Sequence, residues 1–313
     1  MSEQPGIWPR GTTPEIYCIL CPSYHGATLL SLMLNNHTQI LGLGDTLPPR
    51  LLGCGCGCGE PLDTCPFWQE VESRLTYIGK RTLVPAVPTQ LLPKGADGPV
   101  WRTELREPNR ATSAIEHLTI PLFMSVIKLG SHVPLKRFAA SYDRFLSVCS
   151  LHFDYRIFLD GYKSIKHYLA LKACGMPVSG VIHLVRDPRA YVASAKRAGY
   201  SLKQATSEWG RLHWSIEKIL DGVGEKVLLL RYEDFCAQPG ESLGMIQNWM
   251  RLPPESILGR PSAELHWVGN ASMLQFTGDV RPSDRWHREL SSHDLEYLAA
   301  HWPRSALRYN YDI

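Results

Sequence analysis

Several absences narrow this sequence before any motif is read. Its 313 residues contain no low-complexity tract and no visible internal repeat. The longest apolar runs, Leu29–Leu34 and Val227–Leu230, are core-sized and far short of the ~20 residues a membrane-spanning helix needs. An excess of one charge is missing too: 33 basic residues against 30 acidic ones leave a formal net charge of +3. That charge is too small to imply a nucleic-acid surface, so cations that hold an anion must be local. A Gly-Lys-Ser/Thr of the Walker A type is absent. Met1–Pro14 is polar, rich in Pro and Gly, and lacks the apolar core of a signal peptide. It reads as a disordered leader on a cytoplasmic protein.

A chain of this length can bury a large core, and 44% hydrophobic with 20% charged residues is ordinary for a globular protein. Four short apolar runs read as strands: Ile16–Cys21, Tyr155–Leu159, Val181–Val185 and Val227–Leu230. They are nearly continuous rather than alternating, the pattern of buried parallel strands covered by helices on both faces. Asp160, Arg186 and Arg231 follow directly on three of them, where an open parallel sheet binds ligands. Thr28–Asn35 is apolar nearly all round and reads as a buried helix. Pro188–Ala198 has Asp187 as its N-cap, Pro at its first position and Gly199 as its stop. Leu202, Ala205, Trp209, Leu212, Ile216 and Leu220 recur three or four apart, one stripe of an amphipathic helix. The expected fold is a single α/β domain over 15–313, P-loop-like and three-layered, with a central mainly parallel sheet flanked by helices. A mainly helical insertion is expected at about 75–150. Within it, four prolines mark 80–100 as loop, and Pro121 and Pro134 interrupt the helical stretch 101–150. Such an insertion is the natural place for ligand specificity.

After the first strand comes Cys21-Pro-Ser-Tyr-His-Gly-Ala-Thr28-Leu-Leu. A strand, a turn with Gly26, a hydroxyl residue and a helix together make a phosphate site. Backbone N–H groups at the helix start point at the anion, Gly26 permits close approach, and Thr28 can donate a further hydrogen bond. On these residues alone, an ordinary strand-to-helix turn reads the same way. The stretch, followed by Asn35-Asn-His-Thr-Gln-Ile-Leu-Gly-Leu-Gly-Asp45, resembles the 5′-phosphosulfate loop of sulfotransferases that use 3′-phosphoadenosine 5′-phosphosulfate (PAPS). The resemblance implies cofactor contacts from Tyr24, His25, Gly26, Ala27, Thr28 and Leu29. One departure matters: the family carries a basic residue two before the glycine, where this chain has Tyr24. Either His25 supplies the missing cation, or it contributes only its backbone N–H.

The segment Val181-Ile-His-Leu-Val-Arg-Asp-Pro-Arg-Ala-Tyr-Val-Ala-Ser194 carries the resemblance furthest. In that family an Arg ending a strand and a Ser eight residues later hold the 3′-phosphate, which implies those roles for Arg186 and Ser194. Helical geometry agrees, because Ser194 lies two turns after the cap position Asp187. Arg offers a charge-assisted fork to a phosphate dianion, and the hydroxyl completes the shell. Leu230-Arg-Tyr-Glu-Asp-Phe also resembles the family, and for Arg231 the preferred reading is structural pairing with Glu233 or Asp234. Gly269-Asn270 and Val280-Arg-Pro-Ser-Asp-Arg-Trp286 resemble the late segment that folds over the nucleotide, implying contacts from Asn270 and Arg281. Trp286 reads as core.

Sulfonate transfer, like phosphoryl transfer, is an in-line displacement that asks a protein for positioning and charge stabilisation. It needs a base near the acceptor hydroxyl and a cation over the transferring group. Asp45 occupies the place where related enzymes carry a catalytic glutamate, although Gly-Asp-Thr is also turn chemistry. Lys163 in Phe158-Leu-Asp-Gly-Tyr-Lys163 resembles the family's post-strand lysine, with Asp160 bracing the turn and Lys166 as a solvated helix charge. His25 completes the catalytic candidates. His37 and His167 are lesser candidates for the base, and His183, inside a strand, reads as a satisfied core residue.

Nine cysteines are many, and four crowd into Cys54, Cys56, Cys58 and Cys65, unlike the dispersed framework of a secreted domain. The Cys-x-Cys spacing is tighter than a usual zinc knuckle, which puts a disulfide among Cys56, Cys58 and Cys65, or free thiols, ahead of zinc. No metal ligand is assigned and no metal is required. The expected activity is transfer of a sulfonate from PAPS, leaving adenosine 3′,5′-bisphosphate (PAP), to a hydroxyl or amine of a small-molecule acceptor such as a natural product. No nucleic acid and no membrane partner is expected, and the oligomeric state is open. The rival readings are an ATP-using small-molecule kinase and a sulfotransferase-like protein that binds nucleotide without turnover.

Overall fold

Strand β1 (Glu15–Leu20) buries residues on both faces. Ile16, Cys18 and Leu20 enter one apolar core, Tyr17 and Ile19 another, as the two-residue period of a strand requires. The computed structural model describes residues 14–44, 55–75, 132–259, 266–269, 273–274 and 276–312. The expected leader (apart from Pro14), Asp45, Cys54, most of the insertion and Asn270 lie outside the described residues.

Five strands form one all-parallel sheet in the order β2 (Ile40–Leu41), β3 (Ile157–Asp160), β1, β4 (Val178–Val185), β5 (Val227–Arg231). One face is covered by α1 (Ala27–Leu34), α7 (Tyr232–Ala237) and α8 (Pro239–Trp249). The other is covered by α2 (Pro66–Leu75), α3 (His132–Cys149), α4 (Ile165–Ala173) and the C-terminal half of α6 (Leu202–Val223). A third apolar cluster joins α5 (Pro188–Arg197) and the N-terminal half of α6 to α10 (Ser292–Ala300) and α11 (Arg304–Arg308). The short α9 (Trp286–Glu289) precedes these last two. The result is the three-layer α/β arrangement expected from the apolar runs. Because β1 lies between β3 and β4, connections leave it in both directions, and the loop after it sits at a topological switch point.

Local signals act where expected. Asp187 caps α5 by accepting from the Arg189 amide, Pro188 opens the helix, and Gly199 follows its end at φ 91°. Helix α6 opens on a capping box between Ser201 and Gln204, and its stripe buries Ala205, Trp209, Ile216 and Leu220. Pro134 sits in the first turn of α3 rather than interrupting it, where a missing N–H costs no intrahelical bond. Strand β2 is only two residues long and escapes any periodicity argument.

Strand β5 corrects one expectation. It is the edge strand among the described residues, and Val227 and Leu229 are 39% and 45% exposed rather than buried. Trp286 is half-buried under the Arg189 guanidinium, 4.6 Å from its ring, and packs against the edge of the third apolar cluster. No helix among the described residues is long and apolar enough to cross a membrane. The contrast between strands is measurable by urea unfolding. Ile182→Ala in β4, where Ile182 is 0% exposed, is expected to cost about 2–5 kcal/mol, and Leu229→Ala less than about 0.5 kcal/mol.

Candidate functional site

The loop joining β1 to α1 has two residues in the left-handed region, Tyr24 at φ 65° and Gly26 at φ 88°. Gly26 is the N-cap of α1, and no side chain caps the first-turn amides of that helix. A side chain at Gly26 is excluded twice, by its φ and by the Tyr232 ring, which lies 2.6 Å from where a Cβ would stand. The loop's carbonyls turn to the protein: Ser23 O accepts from His25 Nδ1 at 2.9 Å, and Tyr24 O accepts from Arg186 at 2.5 Å. Ala27, Thr28 and Leu29 form the first turn of α1. Their amides are the donors a helix cannot satisfy internally, which makes this turn an anion cradle.

His25 does not supply the missing cation. It is 1% exposed, and its Nε2 meets His213 Nε2 at 2.9 Å, while His213 Nδ1 meets His183 Nε2 at 3.0 Å. The Ser23 carbonyl can only accept, so His25 carries its proton on Nδ1 and presents a bare Nε2. His213 therefore donates from Nε2, and His183 donates from Nε2 into the bare His213 Nδ1. All three rings are neutral and their hydrogen bonds run one way. Burial drives the His25 and His183 values down to about 3. His213 falls well below the ordinary value for the same reason, with His25 and His183 adding to it. His213 lies on α6 and was missed because histidine is not counted in an apolar stripe; its spacing of four from Trp209 was the available signal.

Asp160, the last residue of β3, braces the turn that follows. Its Oδ1 accepts from the Tyr162 amide at 3.0 Å, and its Oδ2 accepts from Tyr142 at 2.5 Å and pairs with His167 at 2.8 Å. Burial alone would raise this carboxyl, but His167, Tyr142 and the Tyr162 amide hold it below the usual carboxylate range. His167 is thereby committed to Asp160, and His37 to Pro253 O and the Gln39 amide. Between the braced turn and Ser164, which caps α4, Lys163 is held at φ 60°. It follows the C-terminal end of β3, which runs parallel to β1, so it stands at the same end of the sheet as the loop.

Arg186 ends β4 on the other side of the loop. It is 8% exposed, lies 4.5 Å over the Tyr232 ring, and its buried Nε has no hydrogen-bond partner. Ser194 is 9% exposed on α5; its hydroxyl donates to Ala190 O at 3.0 Å and accepts from Arg197 at 3.1 Å. Arg231 pairs with Asp234 at 3.1 Å, the structural role preferred for it. Arg281 is 79% exposed and ion-paired to Asp279 at 2.7 Å.

The late segment does reach the loop. Gly44 and Val268 bridge in parallel, the Val268 amide donates to Leu43 O at 2.9 Å, and a Cβ on Gly269 would lie 2.5 Å from Thr28. Asn270 and Asp45 follow immediately on these two strands of chain and lie outside the described residues. The structure thus brings together Tyr24, His25, Gly26, Ala27, Thr28, Leu29, Lys163 and Arg186. Cys56, Cys58 and Cys65 also converge, with His266 among them.

The histidine chain makes stability depend on pH. The folded state holds three imidazoles neutral while the unfolded chain protonates them below the ordinary histidine value of about 6.5. Stability is therefore full above that value and is lost as pH falls from it toward about 3. Urea unfolding is expected to show a loss of about 4 kcal/mol between about pH 7.5 and 5.5 from these three groups. His213→Gln is expected to flatten that slope.

No protein-family model matches the sequence, and no curated protein matches it significantly. Among solved structures the chain is similar to the sulfotransferase domain of the Synechococcus PCC 7002 olefin synthase, at 19% identity and a TM-score of 0.49 over 96% of each chain. It is similar to the sulfotransferase domain from the curacin biosynthetic pathway at 16% identity and a TM-score of 0.46, over 97% of this chain and 100% of that one. For sulfotransferase STF9 from Mycobacterium avium the values are 14%, 0.44, 96% and 77%.

Proposed function

We propose that this protein transfers a sulfonate from PAPS to a hydroxyl or amine of a small-molecule acceptor. The observation that carries the proposal is the anion cradle after β1, flanked by a buried arginine directly after β4 and by Lys163 on the turn after β3. The donor set suits a nucleotide with two anionic ends. Uncapped amides at the start of α1, with the Thr28 hydroxyl, would hold the phosphosulfate end. Arg186, whose buried Nε lacks a partner, and Ser194 would hold the 3′-phosphate. PAPS supplies, when bound, a sulfonate already attached to a good leaving group.

The protein's own contribution is orientation and charge. Lys163 offsets negative charge on the sulfonate oxygens, a role opened by Tyr24 and by the neutrality of His25. Asp45, next in the chain after Gly44, takes the proton from the acceptor's hydroxyl as it attacks. Gly161 and Gly44 pack backbone to backbone, which brings the chain leading to Asp45 beside the chain leading to Lys163.

Calorimetry with PAP and ATP, each without and with magnesium, tests the donor. Micromolar PAP binding, about −8 kcal/mol, is expected, lost in Arg186→Ala and kept in Lys163→Met. Tight magnesium-dependent ATP binding without PAP binding would instead indicate a kinase. With PAPS and a responsive acceptor, Lys163→Met and Asp45→Asn are each expected to lower kcat by about 10²-fold or more. Unchanged turnover in both would remove these catalytic roles.

A further inference from the structure

We propose that Cys56, Cys58, Cys65 and His266 bind one zinc ion in a closed, structural site. The four ligand atoms all lie within 4.8 Å of one another. Cys58 Sγ lies 3.8 Å from Cys65 Sγ, and His266 Nδ1 lies 3.6 Å from Cys56 Sγ and 3.3 Å from Cys65 Sγ. Tetrahedral zinc with ordinary bond lengths has edges of about 3.8 Å between two sulfurs and about 3.6 Å between sulfur and nitrogen. These three edges therefore match a zinc coordination shell to within about 0.3 Å, and the remaining ones need only a small contraction. A disulfide would use two of the three thiols and leave the third facing an imidazole for no purpose. Three sulfurs and one imidazole nitrogen in a tetrahedron select zinc over magnesium, calcium or manganese, which prefer oxygen.

The surrounding sequence holds the four ligand atoms in place. Cys65 is the residue before α2, with Pro66 at the first helical position, and its sulfur accepts from the Trp68 amide. It thus occupies the N-cap, where the helix end favours negative charge. Phe67 stacks on the His266 ring, with centroids 4.9 Å apart and planes 18° from parallel, fixing the imidazole's orientation. The Cys58 amide donates to the Cys56 sulfur, and the Cys56 amide to Glu60 O at 2.8 Å, which closes the loop between the first two ligands. The Cys-Pro-Phe-Trp run is accounted for residue by residue. On binding, the three thiols release their protons, and Zn²⁺ with three thiolates and a neutral imidazole carries one net negative charge.

All four positions are taken by protein, so the ion is structural and does not take part in transfer. What it fixes is the late segment. His266 heads the stretch whose Trp267 carbonyl accepts from the Gly57 amide at 2.9 Å and whose Gly269 abuts Thr28. Zinc would fasten that stretch to the cysteine loop and so hold it against the phosphate cradle. The proposal stands apart from the sulfonate reading, since its test reads metal and not turnover.

The experiment is elemental analysis of the full chain purified under reducing conditions without chelator, followed by Co²⁺ substitution of the stripped protein. One zinc per chain is expected, with thiolate-to-cobalt charge-transfer bands and the strong ligand-field bands of a tetrahedral site. Cys65→Ser should lose the zinc, while Cys174→Ser, a half-buried cysteine outside the cluster, should keep it. His266→Gln exchanges a single ligand and should shift the cobalt ligand-field bands; circular dichroism checks that each variant is folded. Removing the metal should also speed hydrogen exchange at the Gly57 and Val268 amides. Wild-type protein with no metal above background and no cobalt spectrum would overturn the proposal. So would a Cys58–Cys65 disulfide seen by mass, or cobalt bands unchanged in His266→Gln.

Discussion

The hydrogen bond from His25 to the Ser23 carbonyl is the contact on which the arrangement of this site depends. It turns one peptide of the loop toward the protein, and Arg186 does the same to the next through Tyr24 O. With its carbonyls engaged inward, the loop leaves the amides at the start of α1 as its free polarity, and these attract anions. The same bond fixes the proton on His25 and, through it, the tautomers of His213 and His183. One carbonyl thereby orders three rings that tie the loop to α6 and β4. Breaking any ring's hydrogen bonds would leave a buried polar atom unpaired, at a cost of about 1–3 kcal/mol.

A second hub lies across β1. Asp160 collects Tyr142 from α3, His167 from α4 and the Tyr162 amide on one buried carboxylate. Its work is mechanical: it tightens the turn that puts Lys163 into a left-handed conformation unusual for a residue with a side chain. A buried carboxylate surrounded by donors is stiff, because any donor that left would strand charge in a medium of low dielectric. The lysine is thus carried on a short, stiff segment between a braced strand end and a capped helix.

The sheet was legible because its central strands are nearly continuous apolar runs, and the α5 boundary because Asp187, Pro188 and Gly199 each have a local meaning. Val227–Leu230 misled for a physical reason. An apolar run does not say whether a neighbour covers it, and β5 is at an edge among the described residues. In the site, Arg186 was found because it follows a strand directly, and Lys163 because the segment after β3 carries the family resemblance. His213 and His266 were not, since their partners lie 188 and 201 residues away in the chain. The same distance explains the cysteine loop: short spacing alone cannot reveal a ligand that arrives from the other end of the chain.

The direction of the histidine chain has a consequence for protons at this site. A row of imidazoles relays a proton only if each ring can release on one side what it takes up on the other, and afterwards turn over to reset. Here each ring is wedged among aromatic neighbours, His213 lying 4.3 Å from Trp209 and 5.5 Å from Tyr309 between ring centres. Reset would require a ring to turn within that packing, and protonation is opposed by burial. The floor of the cradle therefore resists the passage of protons. A proton released above it leaves more readily sideways, toward solvent, than through the sheet.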